Sequence, residues 1–178
     1  MLTNRRIYTD DYCIIPVRFT MNDRTSFLSY LRETGEQYGV SIVCLNRNMM
    51  AGFSHVETTL VHAIRSWKEG KQIARSLEIE VLLYAAGTRQ TGQIGPFGPD
   101  KGENSCYLCI IPPSEKVVTV LLTRMKEILD EDWNDLDEEK IKRLSNFFGI
   151  TPEELSVTGE EKIAELVCER SALLTVNH

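Results

Sequence analysis

The chain has 178 residues, 42% of them hydrophobic and 26% charged, with a net charge of -6. That is enough apolar material for one sizeable core and too ordered a composition for general disorder. An acidic balance argues against a nonspecific nucleic-acid binder, whose surface is basic throughout. The deficit is uneven: residues 126–170 hold 14 acidic and 6 basic side chains, or -8, so the rest of the chain sums to +2.

The first eleven residues carry charges and lack an apolar secretory core, and no run of about 18 apolar residues occurs. A cytoplasmic protein with no membrane partner is the expectation. The five cysteines are odd in number and irregular in spacing, unlike a disulfide framework.

In chain order, 13–19 reads as a strand, with Pro16 suggesting an edge. Residues 25–38 read as a helix with Phe27, Leu28 and Leu31 on its inner stripe, stopped by Gly39. A second strand covers 40–45, and 46–52 reads as a connector or a short strand around Met49 and Met50. Ser54 opens the strongest helix, with Glu57 completing a capping box and Val56, Leu60, Ala63, Ile64 and Trp67 at helical spacing. Residues 76–86 are ambiguous; Leu77, Ile79, Val81 and Leu83 alternate like a strand. Residues 106–112 form a further strand, 117–129 a helix with Val118, Leu121, Leu122, Met125 and Leu129 inward, and 140–148 another. Thr151-Pro152-Glu153-Glu154 starts a helix, and Thr158-Gly159-Glu160-Glu161 repeats the capping pattern before a last one. On that helix Ile163, Leu166, Val167, Leu173 and Leu174 share a side. The pattern predicts a single α/β (α+β) domain over 1–178, a small mixed or antiparallel central sheet flanked by helices, with a helical C-terminal part over about 114–178.

Chemistry-bearing motifs are sparse. Cys106 and Cys109 form a C-x-x-C inside a strand, where residues three apart point to opposite faces, so two packing cysteines are expected. His55 and His62 are seven apart on one helix and His178 is terminal; none sits in a zinc-binding pattern, and no metal or other cofactor is expected. Glu78 and Glu80 resemble an acid–base pair but have no nucleophile nearby. Gly92, Gly95 and Gly98 recur every third residue and could cradle a phosphate, or form a plain surface loop. Arg65, Lys68, Lys71, Arg75 and Arg89 cluster within 25 positions. The first three are spaced to form a row along one side of the helix. Such a row could meet phosphates, with Trp67 or Tyr84 stacking a base if exposed; a solvated charged face is the alternative.

The stretches Ser54-His55-Val56, His62-Ala63, Lys71, Ser76, Glu80-Val81-Leu82 and Ala86-Gly87-Thr88-Arg89-Gln90 resemble the central signature of the kinase-binding subunit family of the KEOPS tRNA-modification complex. Residues 106–112 and 161–176 resemble that family's next strand and closing helix. The resemblance implies an α/β domain without catalysis of its own. Such a subunit binds and tunes the small atypical KEOPS kinase, and it grips the single-stranded 3′ CCA end of tRNA in support of threonylcarbamoyl-adenosine formation. By position, Arg65, Lys68, Lys71, Arg75, Arg89 and Gln90 would face tRNA; Leu166, Arg170, Leu173 and Leu174 would face the kinase. It also implies a helix, not a strand, over 76–86. After Arg89-Gln90 this chain departs from the family: two glycines and Pro96 disfavour further helix, by about 1 and 3 kcal/mol per residue. The alternative reading is a small enzyme or ligand-binding protein using the loop at Gly92, Gly95 and Gly98.

Overall fold

A computed structural model describes residues 3–176, the side chain of Val176 excepted; His178 lies outside the described residues. The element order is β1 (Ile7–Tyr8), β2 (Cys13–Met21), α1 (Arg24–Tyr38), β3 (Ser41–Asn46), α2 (Phe53–Lys68), α3 (Leu77–Ala86), β4 (Gly102–Ile111), α4 (Glu115–Leu121), β5 (Lys126–Glu127), α5 (Glu138–Phe148), α6 (Pro152–Thr158) and α7 (Ile163–Val176). This is the expected α/β class, and the sheet is antiparallel throughout. The chain forms two compact units, residues 1–47 with 98–132, and residues 48–97 with 133–178.

The first unit is the sheet with α1 and α4. Its order is β1-β2-β4-β3, with β5 also beside β2. Strand alternation puts Cys13, Ile15, Val17, Phe19 and Met21 of β2 on one face. There they join Ile42, Cys44, Cys106, Leu108 and Ile110 under Leu31 of α1 and Val117, Val118 and Leu121 of α4. Cys106 and Cys109 therefore lie on opposite faces, both buried, and burial pushes both thiols well above their ordinary range.

Pro16 is not on an edge strand, because β2 is paired on both sides. Its carbonyl accepts from the Ile128 amide at 2.9 Å, away from β4. In antiparallel strands a residue's N–H and C=O point the same way. The donor that proline lacks would thus have faced the same side, opposite Ile128, which follows β5 beyond its pairs with Val17 and Arg18.

Asp23 caps α1 and Gly39 ends it at φ 68°, while Leu28 turns outward at 40% exposure, against the expected inner stripe. The helix predicted over 117–129 is cut short. α4 ends at Leu121, and Lys126 and Glu127 leave it to pair with Arg18 and Val17 of β2. Arg6 holds Glu127 there through two 2.8 Å hydrogen bonds.

The second unit is helical. α2 packs on α3 and α7, and α5 on α7. α2 starts one residue before the predicted cap. Gly52, at φ 86°, is the cap residue, and the Asn134 side chain accepts from the Phe53 amide at 2.9 Å. Ser54 and Glu57 form no capping box. His55 is fully buried: Nδ1 accepts from the Ala51 amide and Nε2 donates to the Ala85 carbonyl, both at 3.0 Å.

Residues 77–86 are helical, capped by Ser76, whose side chain accepts from the Ile79 amide, and ended by Gly87 at φ 63°. The near-continuous apolar run, which looked strand-like, is explained by burial of Val81, Leu83, Tyr84, Ala85 and Ala86 on more than one side. Asp137 caps α5, and Thr151 and Glu154 form the expected capping box on α6. Gly159, rather than Thr158, starts the next turn, and no side chain caps it. Among the described residues no helix is long and apolar enough to cross a membrane.

Candidate nucleic-acid interface

The amphipathic repeat of α2 buries Val56, Leu60, Ala63 and Ile64 and leaves Arg65 and Lys68 exposed in the last turn. Cations there also complement the negative end of the helix dipole. The helix then stops abruptly. Gly70, at φ 69°, lets the Lys71 amide return to the Ser66 carbonyl at 2.9 Å, a closure that suits a glycine in the left-handed region. Lys71 is therefore off the helix, and the expected three-residue row is two helical residues plus one loop residue. Lys71 lies 3.7 Å from Glu69, both well exposed, a pair of little energetic weight.

The connector between α2 and α3 is held by Glu80. Its buried carboxylate accepts from Ser66 Oγ at 2.9 Å, the Ile73 amide at 2.9 Å and the Ala74 amide at 2.8 Å. Glu80 is thus an anchor rather than an acid–base group. It fixes the loop that carries Lys71 and Arg75, and it ties that loop to the end of α2.

A cavity of about 230 Å³ opens here, lined by His62, Arg65, Ser66, Lys71, Tyr84 and Thr175 together with Glu69. The His62 and Tyr84 rings are nearly parallel, 11° apart with centroids at 6.2 Å. Thr175 of α7 donates to the Tyr84 hydroxyl at 3.2 Å and lies 3.4 Å from His62 Nδ1. Partial burial and the nearby Arg65 lower the His62 pKa below its ordinary value, so the ring is neutral at pH 7. The site offers a neutral ring between two cations. Tyr84 is fully buried and Trp67 half-buried. Of the two stacking candidates, Tyr84 is floor rather than platform.

Arg75, Arg89 and Gln90 are all exposed. Arg75 precedes α3, whereas Arg89 and Gln90 follow its end at Gly87. The ten residues of α3 separate them by about 15 Å at 1.5 Å per residue, so they cannot meet one phosphate. They suit successive positions along a strand. Gln90 Oε1 accepts from Gln93 Nε2 at 3.0 Å. α3 has already ended at Gly87, ahead of the departure from the family pattern, and beyond Gln90 no α-helix resumes, as that departure predicts. Residues 91–93 and 95–97 form short 3-10 turns, with Ile94 and Phe97 buried beneath them. A Cβ at Gly92 or Gly95 would meet nothing within 4 Å, so no close backbone approach demands glycine at either position.

On α7, Leu173 is 43% exposed and Leu174 4%. Leu166 packs partly against the core of Ala51, Leu144, Ile150, Ile163 and Val167. Arg170 donates to both carboxylate oxygens of Glu154, at 2.9 and 3.0 Å. His62, Ser66, Glu80 and Thr175 shape the site but were not assigned to it from sequence. Among them, His62 and Glu80 carry sequence signals for other chemistry, and Thr175, 113 positions from His62, carries no local signal.

No family model matches the chain. The regulatory protein Cgi121 of Methanocaldococcus jannaschii is 26% identical over 136 residues, covering 76% of this chain and 84% of that protein. The family resemblance read from the central segment is borne out by this relative.

Proposed function

We propose that this chain is a non-catalytic regulatory subunit of a KEOPS-type complex, acting in the cytoplasm. It binds the complex's small atypical kinase through α7 and the single-stranded 3′ CCA end of tRNA through the α2–α3 side. The observation that carries the RNA half is the cavity at the end of α2, where Arg65 and Lys71 flank the neutral His62 ring. Single-stranded ends are held by phosphate neutralisation plus ring stacking. Lys68, Arg75, Arg89 and Gln90 are exposed polar side chains that would extend the contact beyond that cavity. The likeness to a protein named as regulatory supports the absence of catalysis.

The test is a titration of labelled tRNA, with and without its CCA end, against the protein and an Arg65→Glu/Lys68→Glu/Lys71→Glu variant at fixed salt. At about 1.5 kcal/mol per charge-assisted contact, the variant should lose roughly 100-fold or more in affinity for intact tRNA. Tailless tRNA should bind weakly to both proteins. Binding indifferent to both changes refutes the tRNA role.

The kinase half rests on α7. Leu173→Asp places a charge on an exposed apolar position and should weaken capture of the purified kinase at least tenfold, while tRNA binding persists. Undiminished kinase capture would move the interface off α7.

A further inference from the structure

A second cavity, of about 330 Å³, lies between α5 and α6. Its floor is apolar, made by Ile141, Ile150, Pro152 and Leu155. Ile141, Ile150 and Leu155 also belong to the small core around Leu144, Ile163 and Val167, so the groove exposes the skin of that core. Glu138, Lys142 and Glu160 stand around it.

Charge selects the occupant. Residues 135–161 hold eight acidic and three basic side chains. Of the three, Lys140 is 7% exposed and Arg143 donates to the Asn48 carbonyl at 2.8 Å. Lys142 is therefore the exposed lysine of the stretch. Such a surface repels a phosphate backbone and attracts lysine and arginine.

One further feature points to a ligand. Ser145 Oγ lies in the lining, is buried, and has no hydrogen-bond partner in the protein. A buried hydroxyl left so is unfavourable until a partner group meets it.

We propose that the α5–α6 groove docks a basic segment of a partner protein. The segment inserts apolar side chains over Ile141, Ile150 and Leu155, sets lysine or arginine against Glu138 and Glu160, and gives a polar group to Ser145. This surface is independent of the tRNA-binding reading. It has the opposite charge preference, so one subunit carries a surface for RNA and another that excludes it.

The probe is a short synthetic peptide with leucine at helical spacing and lysine elsewhere, titrated into the isotope-labelled full chain while backbone amide shifts are followed. The shifts should map to residues 138–160. Affinity should fall about tenfold in a Glu138→Lys/Glu160→Lys variant, whose changed positions are exposed and whose circular dichroism should match the parent. It should also fall when serine replaces the peptide's leucines. Equal binding to the variant, shifts elsewhere, or indifference to the leucines overturns the proposal. So does a single-stranded RNA oligomer that shifts the same amides, or concentration-dependent self-association that fills the groove with a second copy.

Discussion

Glu80→Ala is expected to lower the thermal midpoint by about 6–16 °C and to remove most tRNA binding. Glu80 is fully buried and accepts from Ser66 Oγ and the amides of Ile73 and Ala74. Alanine leaves three donors without their acceptor, at a cost of roughly 1–1.5 kcal/mol each, or about 3–4 kcal/mol. For a domain of this size each kcal/mol moves the midpoint by about 2–4 °C. The binding loss follows from position: the freed connector carries Lys71 and Arg75, while Arg65 and Lys68 stay on α2. Glu80→Gln keeps one acceptor oxygen and should lose about half as much. Paired melting curves and tRNA titrations check both parts. A midpoint within ~2 °C of the parent would mean that the connector is held by other contacts.

Acid should destabilise the second unit through His55. Burial lowers its pKa to about 4, opposed by its hydrogen bond to Ala85 and aided by the charge of Lys140. The geometry agrees, since Nδ1 already accepts from Ala51, and a proton placed there would face that amide. An unfolded histidine titrates near 6.5. The native state thus binds the proton later than the unfolded chain does. Stability is complete above about pH 6.5 and falls as the pH drops toward 4. At 1.36 kcal/mol per pH unit the full loss is about 3 kcal/mol. Urea unfolding of the protein and of His55→Gln between pH 7.5 and 5 isolates this contribution, because most carboxylates remain ionised there. The parent should weaken by about 2 kcal/mol over that range and the variant much less. Parallel curves would rule out His55 as the source.

What was legible in the sequence was mainly local. The pair Thr151 and Glu154 caps α6 through bonds spanning three residues, so a short window contains the whole cause; Ser76 and Asp137 cap α3 and α5 over the same span but are not read as caps in the sequence. Where the decisive partner was distant, local patterns misled. The Ser54–Glu57 signature was correct in form, yet Asn134, 81 positions away, meets the first amide of α2. The apolar spacing over 117–129 continues past Leu121, but pairing with β2 and the Arg6 contact, 121 positions away, redirect it. The site divides the same way. Arg65 and Lys71 are neighbours in sequence, and their proximity was readable. The ring floor of Tyr84 and the Thr175 hydroxyl come from elements whose packing no local spacing encodes. Strand-like alternation over 76–86 failed for a related reason: a helix buried on several sides has no polar stripe to reveal its period.

Pro16 has a consequence for solubility. β2 is nine residues long and largely buried, the kind of strand that recruits others when its edge is bare. Its outer side is covered by two strands of two residues each, and between them stands a residue with no N–H to offer. An invading strand would find that side occupied by β1 and β5 at its ends and, at Pro16, a carbonyl already bonded to the Ile128 amide and no N–H. The sheet thereby discourages edge-to-edge aggregation while keeping a nine-residue strand beside its longest, β4.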